Sequence, residues 1–205
     1  TIRSSNMRLF LALCVLVAVS YAVDVSDIPL SKRDGFKGPV VAAMLPNSMN
    51  VTDTYTLSWA VFNNTIGILV DVYAEAWVGI GWHEAGSPYS GMQNGDFITG
   101  IFYDDRGVLV QDRFCSCSVE GEPATDFMQG GTYDITFFDG YQTINPDGAV
   151  TVSSIYFERF LDTGDVDYDH VISDADQKVV WAYGTSNTFG YHGDNRGQFT
   201  LNFLA

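Results

Sequence analysis

From Tyr55 onward, apolar and polar residues trade places every second position over short runs. Tyr55, Leu57, Trp59 and Val61 alternate with polar or small residues, and Ile66, Ile68, Val70 and Val72 repeat the pattern. The runs Trp77 to Trp82, Phe97 to Tyr103 and Val108 to Phe114 follow, then Tyr133, Ile135 and Phe137. Val150 to Phe160, Val179 to Tyr183 and Phe199 to Phe203 complete the series, and a short apolar run, Pro39 to Leu45, precedes it. A period of two places alternate side chains on opposite faces of an extended chain, so these runs predict half-buried antiparallel strands. Turn-forming residues stand between them: Asp104-Asp105-Arg106-Gly107 reads as a hairpin tip and Asn145-Pro146-Asp147-Gly148 as a second turn. The only helical signal is a short turn near Asp174 to Lys178. About ten strands at this spacing predict an all-β, immunoglobulin-like antiparallel β-sandwich with no internal repeat and no second domain.

The segment before the strands is of another kind. Met7-Arg8 leads into an apolar run from Leu9 to Val19 and ends in Ser20-Tyr21-Ala22. A charged start, a short hydrophobic core and a small-x-small site make residues 1–22 a secretory signal peptide, with 1–6 upstream of its initiating methionine. The run is too short to span a bilayer. Residues 23–37 are polar and charged and read as a flexible lead-in, with Lys32-Arg33 a dibasic pair, and residues 38–205 form the single domain. The expectation is a secreted, extracellular protein with no membrane span. The sequons Asn50-Val51-Thr52 and Asn63-Asn64-Thr65 suit a glycoprotein on that route.

Charge and cysteine content narrow the chemistry. The whole chain has 10 basic and 25 acidic residues, a net charge of −15, and removing the leader takes away Arg3 and Arg8 but no acid. Nucleic acid is excluded as a partner, because phosphate binding requires clustered Lys and Arg. The acidic surface serves solubility, and it could also steer a basic redox partner. Cys115 and Cys117 remain after processing. Two thiols at that spacing fall on one side of an extended chain, which allows a tight internal disulfide, pairing with another chain, or free thiols. The Cys-x-x-Cys-His needed for covalent haem attachment is missing. No Gly-x-Ser-x-Gly elbow, no paired carboxylates in a recognisable motif and no metal-ligand histidine spacing are found, so no catalytic residue is nominated.

Two loop motifs carry the remaining signal. Met92 stands in Ser90-Gly91-Met92-Gln93-Asn94-Gly95-Asp96, after the glycine-rich Trp77-Val78-Gly79-Ile80-Gly81-Trp82. His192 stands in Tyr191-His192-Gly193-Asp194-Asn195-Arg196-Gly197, just before the last strand. Glycines on either side of a methionine let a loop approach a flat macrocycle closely. Each motif also has an ordinary reading: a methionine filling a gap and a solvated histidine in a polar turn. A thioether and an imidazole on one haem iron give a low-spin site without an open position, suited to moving electrons. His83, at the end of the Trp77 strand, is a rival ligand that would lower the potential. His170, in the acidic run Asp165-Val166-Asp167-Tyr168-Asp169-His170, is expected to face water. Asp165, Asp167 and Asp169 have the first spacings of a calcium loop, but His170 replaces the required glycine and Asp176 the glutamate, so a solvated turn is preferred.

Taken together and in order, these motifs resemble the DOMON family, especially its haem-binding cytochrome domains such as that of cellobiose dehydrogenase. The resemblance covers roughly residues 50–204. Beyond the two loops it includes Arg113, Arg159-Phe160-Leu161-Asp162-Thr163-Gly164-Asp165, Trp181-Ala182 and Arg196-Gly197. It implies a non-covalent haem b held by Met92 and His192 between the two sheets near one end of the sandwich, with Trp82, Tyr89, Phe97 and Tyr191 lining the slot. It also implies single-electron transfer with a separate donor and acceptor, protein or small molecule, since the chain carries neither a dinucleotide motif nor spanning helices. Other members lack the ligand pair, so the alternative is a haem-free module that binds a glycan or another ligand.

Overall fold

A computed structural model of the chain describes residues 45–103, 107–117 and 121–205. The expected leader, the lead-in and all but the end of the Pro39 to Leu45 run lie outside the described residues. Among those described are eleven strands and one helical turn: β1 (Asn47–Thr52), β2 (Tyr55–Phe62), β3 (Thr65–Val72), β4 (Val78–Trp82), β5 (Asp96–Tyr103), β6 (Gly107–Phe114), β7 (Ala124–Thr125), α1 (Asp126–Gln129), β8 (Ile135–Ile144), β9 (Val150–Phe160), β10 (Gln177–Tyr183) and β11 (Arg196–Leu201). They form two sheets, β1-β2-β3-β9-β8 and β11-β10-β4-β5-β6-β7, with every neighbouring pair antiparallel. The predicted β-sandwich is therefore the fold.

Between the sheets lies one large apolar core. Leu57, Ile66, Ile68 and Val70 of one sheet meet Val78, Ile80, Trp82, Ile98 and Val110 of the other. Each such side chain contributes roughly 1.5–3 kcal/mol on full burial. Trp59 donates its indole N–H to the Phe203 carbonyl at 3.0 Å, which fixes the chain end to the core.

Three elements differ from the sequence reading. The Asp174 to Lys178 turn is not helical; Gln177 and Lys178 already pair in β10. The helical turn that does form, Asp126–Gln129, is too short to show a period and closes on Gly130 at φ 103°. The edge strands β1 and β7 are polar or only two residues long, so alternation gave little sign of them. The Asn145 turn forms as expected, with Asn145 N–H donating to the Ala149 carbonyl at 2.8 Å and Gly148 at φ 88°. Tyr103 pairs with Gly107 across the expected hairpin, whose tip, 104–106, lies outside the described residues. No helix of the described residues is long and apolar enough to cross a membrane.

Candidate functional site on the outer face of the six-stranded sheet

Strand β4 spends its large side chains on one face only. Val78, Ile80 and Trp82 enter the core, so Gly79 and Gly81 face the opposite way. The neighbours follow suit: Ile98 and Phe102 point inward from β5 while Phe97 and Thr99 point outward, and Val179 is inward on β10 while Val180 is outward. The outer face of the sheet thus has a low floor where β4 has no side chains. Above it opens a cleft of about 950 Å³, whose lining includes Gly79, Phe97, Thr99 and Val180. That is at the upper end of the roughly 300–1,000 Å³ found for small-molecule and cofactor sites.

The Phe97 ring lies over Gly81 and Gly95, and a Cβ at Gly81 would collide with it. Gly81→Val should therefore lift Phe97 off the floor and cost about 1–3 kcal/mol. A denaturant melt checks this, and an unchanged midpoint would mean that Phe97 moves aside freely.

Met92 and His192 line this one cleft, from loops a hundred residues apart in the chain. Met92, in the β4–β5 connection, packs on Phe97, Cys115 and Val180. His192, in the β10–β11 connection, is 7% exposed. Its Nδ1 lies 3.0 Å from the Gly193 carbonyl. A carbonyl can only accept, so Nδ1 is the donor of this bond and Nε2 is the nitrogen that remains to serve as a ligand. Histidines that ligate metals are oriented in this way, one ring N–H tied to a carbonyl and the other nitrogen bare. The donor set, one thioether and one imidazole over an apolar floor, fits haem iron.

Both loops are held by numerous ties. Asn94 N–H donates to the Cys115 carbonyl at 2.9 Å and Cys115 N–H to the Gly95 carbonyl at 3.0 Å. Cys115 and Cys117 are joined by a disulfide, with Cα atoms 4.8 Å apart. Lys178 Nζ donates to the carbonyls of Ser87 and Tyr89. On the far loop, Phe189 is held between Trp77, with centroids 4.9 Å apart, and the Arg113 guanidinium, 4.1 Å from the ring centroid. Arg113 spends its donors on Thr99, the Pro123 carbonyl and Gln111, and so also fixes the third wall of the cleft.

The predicted lining is met in part. Phe97 and Tyr191 line the cleft with the two candidate ligands, and Tyr191 is 78% exposed at its rim. Trp82 does not: period two sends its ring into the core, where its N–H donates to the His170 carbonyl at 3.1 Å. Tyr89 is half-exposed and outside the cleft lining. The cleft itself corrects the position implied by the resemblance, since it lies on the outside of one sheet rather than between the two. The space between the sheets is filled by the core.

His83 is fully buried and outside the cleft lining. Its Nδ1 lies 3.3 Å from the Asn94 carbonyl and its Nε2 3.1 Å from the Gly91 carbonyl. Both nitrogens face carbonyls of the Met92 loop, the single N–H of the neutral ring donating to one of them, and neither faces the cleft, which removes it as a ligand. Burial lowers its pKa, opposed by the two carbonyls. His170 does not face water either: its Nε2 lies 2.8 Å from the Asn94 carbonyl, and its ring packs edge-on against Phe114. Sequence reasoning missed these bracing roles, because only the fold brings the histidines to the loop carbonyls. Loss of the His83 brace, in His83→Ala, should leave the Gly91 carbonyl without its donor, while Asn94 keeps His170, and speed amide exchange at 91–95. Exchange as slow as in the parent chain would show that the other ties suffice.

The acidic run also departs from a solvated turn. Asp165 accepts the Thr132 N–H at 2.8 Å, while Asp169 is buried against Arg159 at 3.3 Å. These two carboxylates have different partners and do not form a calcium loop. Burial, chiefly, pushes Asp169 up to about 7 and Asp126 up to about 10. Both groups titrate near 4 when unfolded. A carboxyl raised in the folded state favours folding when protonated, so its contribution is complete below the unfolded value and lost as pH climbs through the folded one. In chelator-containing buffer, the melting temperature should therefore fall from pH 5 to pH 8. A rise over that window would refute the assignment.

A family model described as the DOMON domain matches residues 51–184, a span that contains Met92 and ends before His192. A search of curated proteins finds no match to the chain.

Proposed function

The chain belongs to the DOMON family, whose domain can bind haem or act as a ligand-binding module, and from that premise we propose that it is a secreted b-type haem protein that passes single electrons. The observation that carries this reading is the placement of Met92 and His192 in one cleft, with the imidazole Nε2 left free by the Nδ1 bond to Gly193. A haem iron supplies reversible one-electron chemistry, and axial ligands tune its potential. Met92 and His192 would be the two side chains that hold the iron, a donor pair suited to electron transfer. Phe97 and Val180 keep water from the floor, and Gly79 of β4 leaves room for a flat ring to approach the backbone. Arg196, at the rim, is a cation placed to meet acidic groups. Donor and acceptor would lie outside this domain, and the acidic surface favours a basic partner.

Titration of the purified chain with haemin tests this directly. A saturable low-spin spectrum, with sharp bands on reduction, upholds the proposal. A chain that stays colourless is not a cytochrome. Tyr191, exposed beside the cleft, favours a second reading in which the same cleft binds a glycan. Retention of the colourless chain on a glycan surface would establish it.

A further inference from the structure

Apart from the cleft, a second constellation lies between the sheets. Three carboxylates from separate elements gather near Arg159: Asp96 opens β5, Asp112 lies in β6 and Asp169 precedes β10, with Asp126, which opens α1, beyond them on the Asp112 side. All four are buried, as is Arg159. One oxygen each from Asp96, Asp112 and Asp169 lies within 4.8 Å of the others.

Hydrogen bonding accounts for only part of this group. Asp96 Oδ2 takes Arg159 at 2.9 Å and the His170 N–H at 3.0 Å, and Asp112 Oδ2 takes the Asp134 N–H at 2.8 Å. Asp96 Oδ1, Asp112 Oδ1 and both oxygens of Asp126 are buried without a hydrogen-bond partner. Asp126 is fully buried, and its strongest charged neighbour is Asp112, followed by Asp96 and Asp169. One guanidinium opposes the three grouped carboxylates, an imbalance of two charges in a dry place whenever all three are ionised. Buried charges are ordinarily paired or bound to metal, and bare acceptors cost about 1–3 kcal/mol each.

We propose that Asp96, Asp112 and Asp169 form a calcium site that ties β5 and β6 to the segment before β10. The donors are all hard oxygens, which suits calcium and magnesium and disfavours zinc and copper. A calcium–oxygen distance of about 2.3–2.6 Å lets one ion reach oxygens roughly 4.8 Å apart on opposite sides. Magnesium, at about 2.0–2.1 Å, cannot span them without rearrangement. Arg159 holds Oδ2 of Asp96 and Oδ2 of Asp169, so Oδ1 of Asp96, Asp112 and Asp169, each buried without a hydrogen bond, remain for the ion. A divalent ion cancels the imbalance of two charges. The site shares no ligand with the cleft and stands whether or not the cleft takes haem.

The test is calcium titration of the full chain after chelation, with melting temperature and terbium luminescence excited through tryptophan as readouts. Trp82 is suitably near, since its ring centroid lies 4.9 Å from the Arg159 guanidinium carbon. Calcium should raise the melting temperature saturably, with magnesium far less effective, and should displace luminescent terbium. Asp112→Asn and Asp169→Asn should each weaken calcium binding by at least the roughly 10–100-fold that loss of a supporting group costs a metal site. If calcium leaves the melt unchanged and Asp112→Asn raises it, protons rather than an ion neutralise the cluster and the proposal fails. If neither variant folds, the parent chain decides alone: calcium-displaced terbium luminescence upholds the site, and silence overturns it.

Discussion

Arg159→Met should destabilise the domain by about 3–5 kcal/mol, the cost of removing one partner from a buried ion pair. That is a large part of the 5–15 kcal/mol typical of a whole domain. Arg159 is fully buried near the end of β9, bonded to Asp96 at 2.9 Å and Asp169 at 3.3 Å, with its guanidinium carbon 4.9 Å from the centroid of the Trp82 ring. Its removal strands the carboxylates and also empties volume beside Trp82. The shortfall should be largest at high pH, where the orphaned acids must ionise, and smaller near pH 4, where they carry protons. Denaturant melts of both chains at the two pH values measure it. A loss that does not vary with pH would mean that Arg159 matters for packing rather than charge.

The second large effect concerns the two cleft loops. His192→Ala should abolish haemin uptake, whereas Met92→Ala should still bind haemin but shift it to a high-spin spectrum or a lower potential. The asymmetry follows from bond strength and placement. Imidazole is the stronger ligand, and the Gly193 carbonyl orients it in advance. A thioether is a weak donor, and its chief effect is to raise the potential. His83→Ala serves as the control: its nitrogens face loop carbonyls, so the spectrum should remain low-spin. If His83→Ala abolishes the spectrum and His192→Ala does not, the ligand assignment is wrong. Circular dichroism of each variant shows whether the sandwich is retained.

Much of the sandwich was legible because its strands are half-buried. Alternation marked β2, β3, β5, β6 and β9 nearly to their ends, since one face of each must meet the opposing sheet. It could not mark β1 or β7, which sit at sheet edges and bury little, nor a four-residue helix. Within the site, Met92 and His192 were legible because glycines and polar residues surround them in loops. The position of the cleft was not. Which side of β4 carries the opening depends on Gly79 and Gly81 standing at alternate positions opposite Val78, Ile80 and Trp82, and that pattern speaks only once the sheet's inner face is known. The roles of His83, His170 and Asp126 were hidden for another reason. Each depends on partners distant in the chain, Asn94 for His170 and Asp112 for Asp126 among them.

Because the cleft stands on the outside of a sheet whose inner face is closed by its own side chains, assembly of the domain and loading of the cleft are separable events. The empty chain can reach its final topology first and take up its guest afterwards, or surrender it, without opening the sandwich. Occupancy would then follow the supply of guest in the surrounding medium rather than the history of folding.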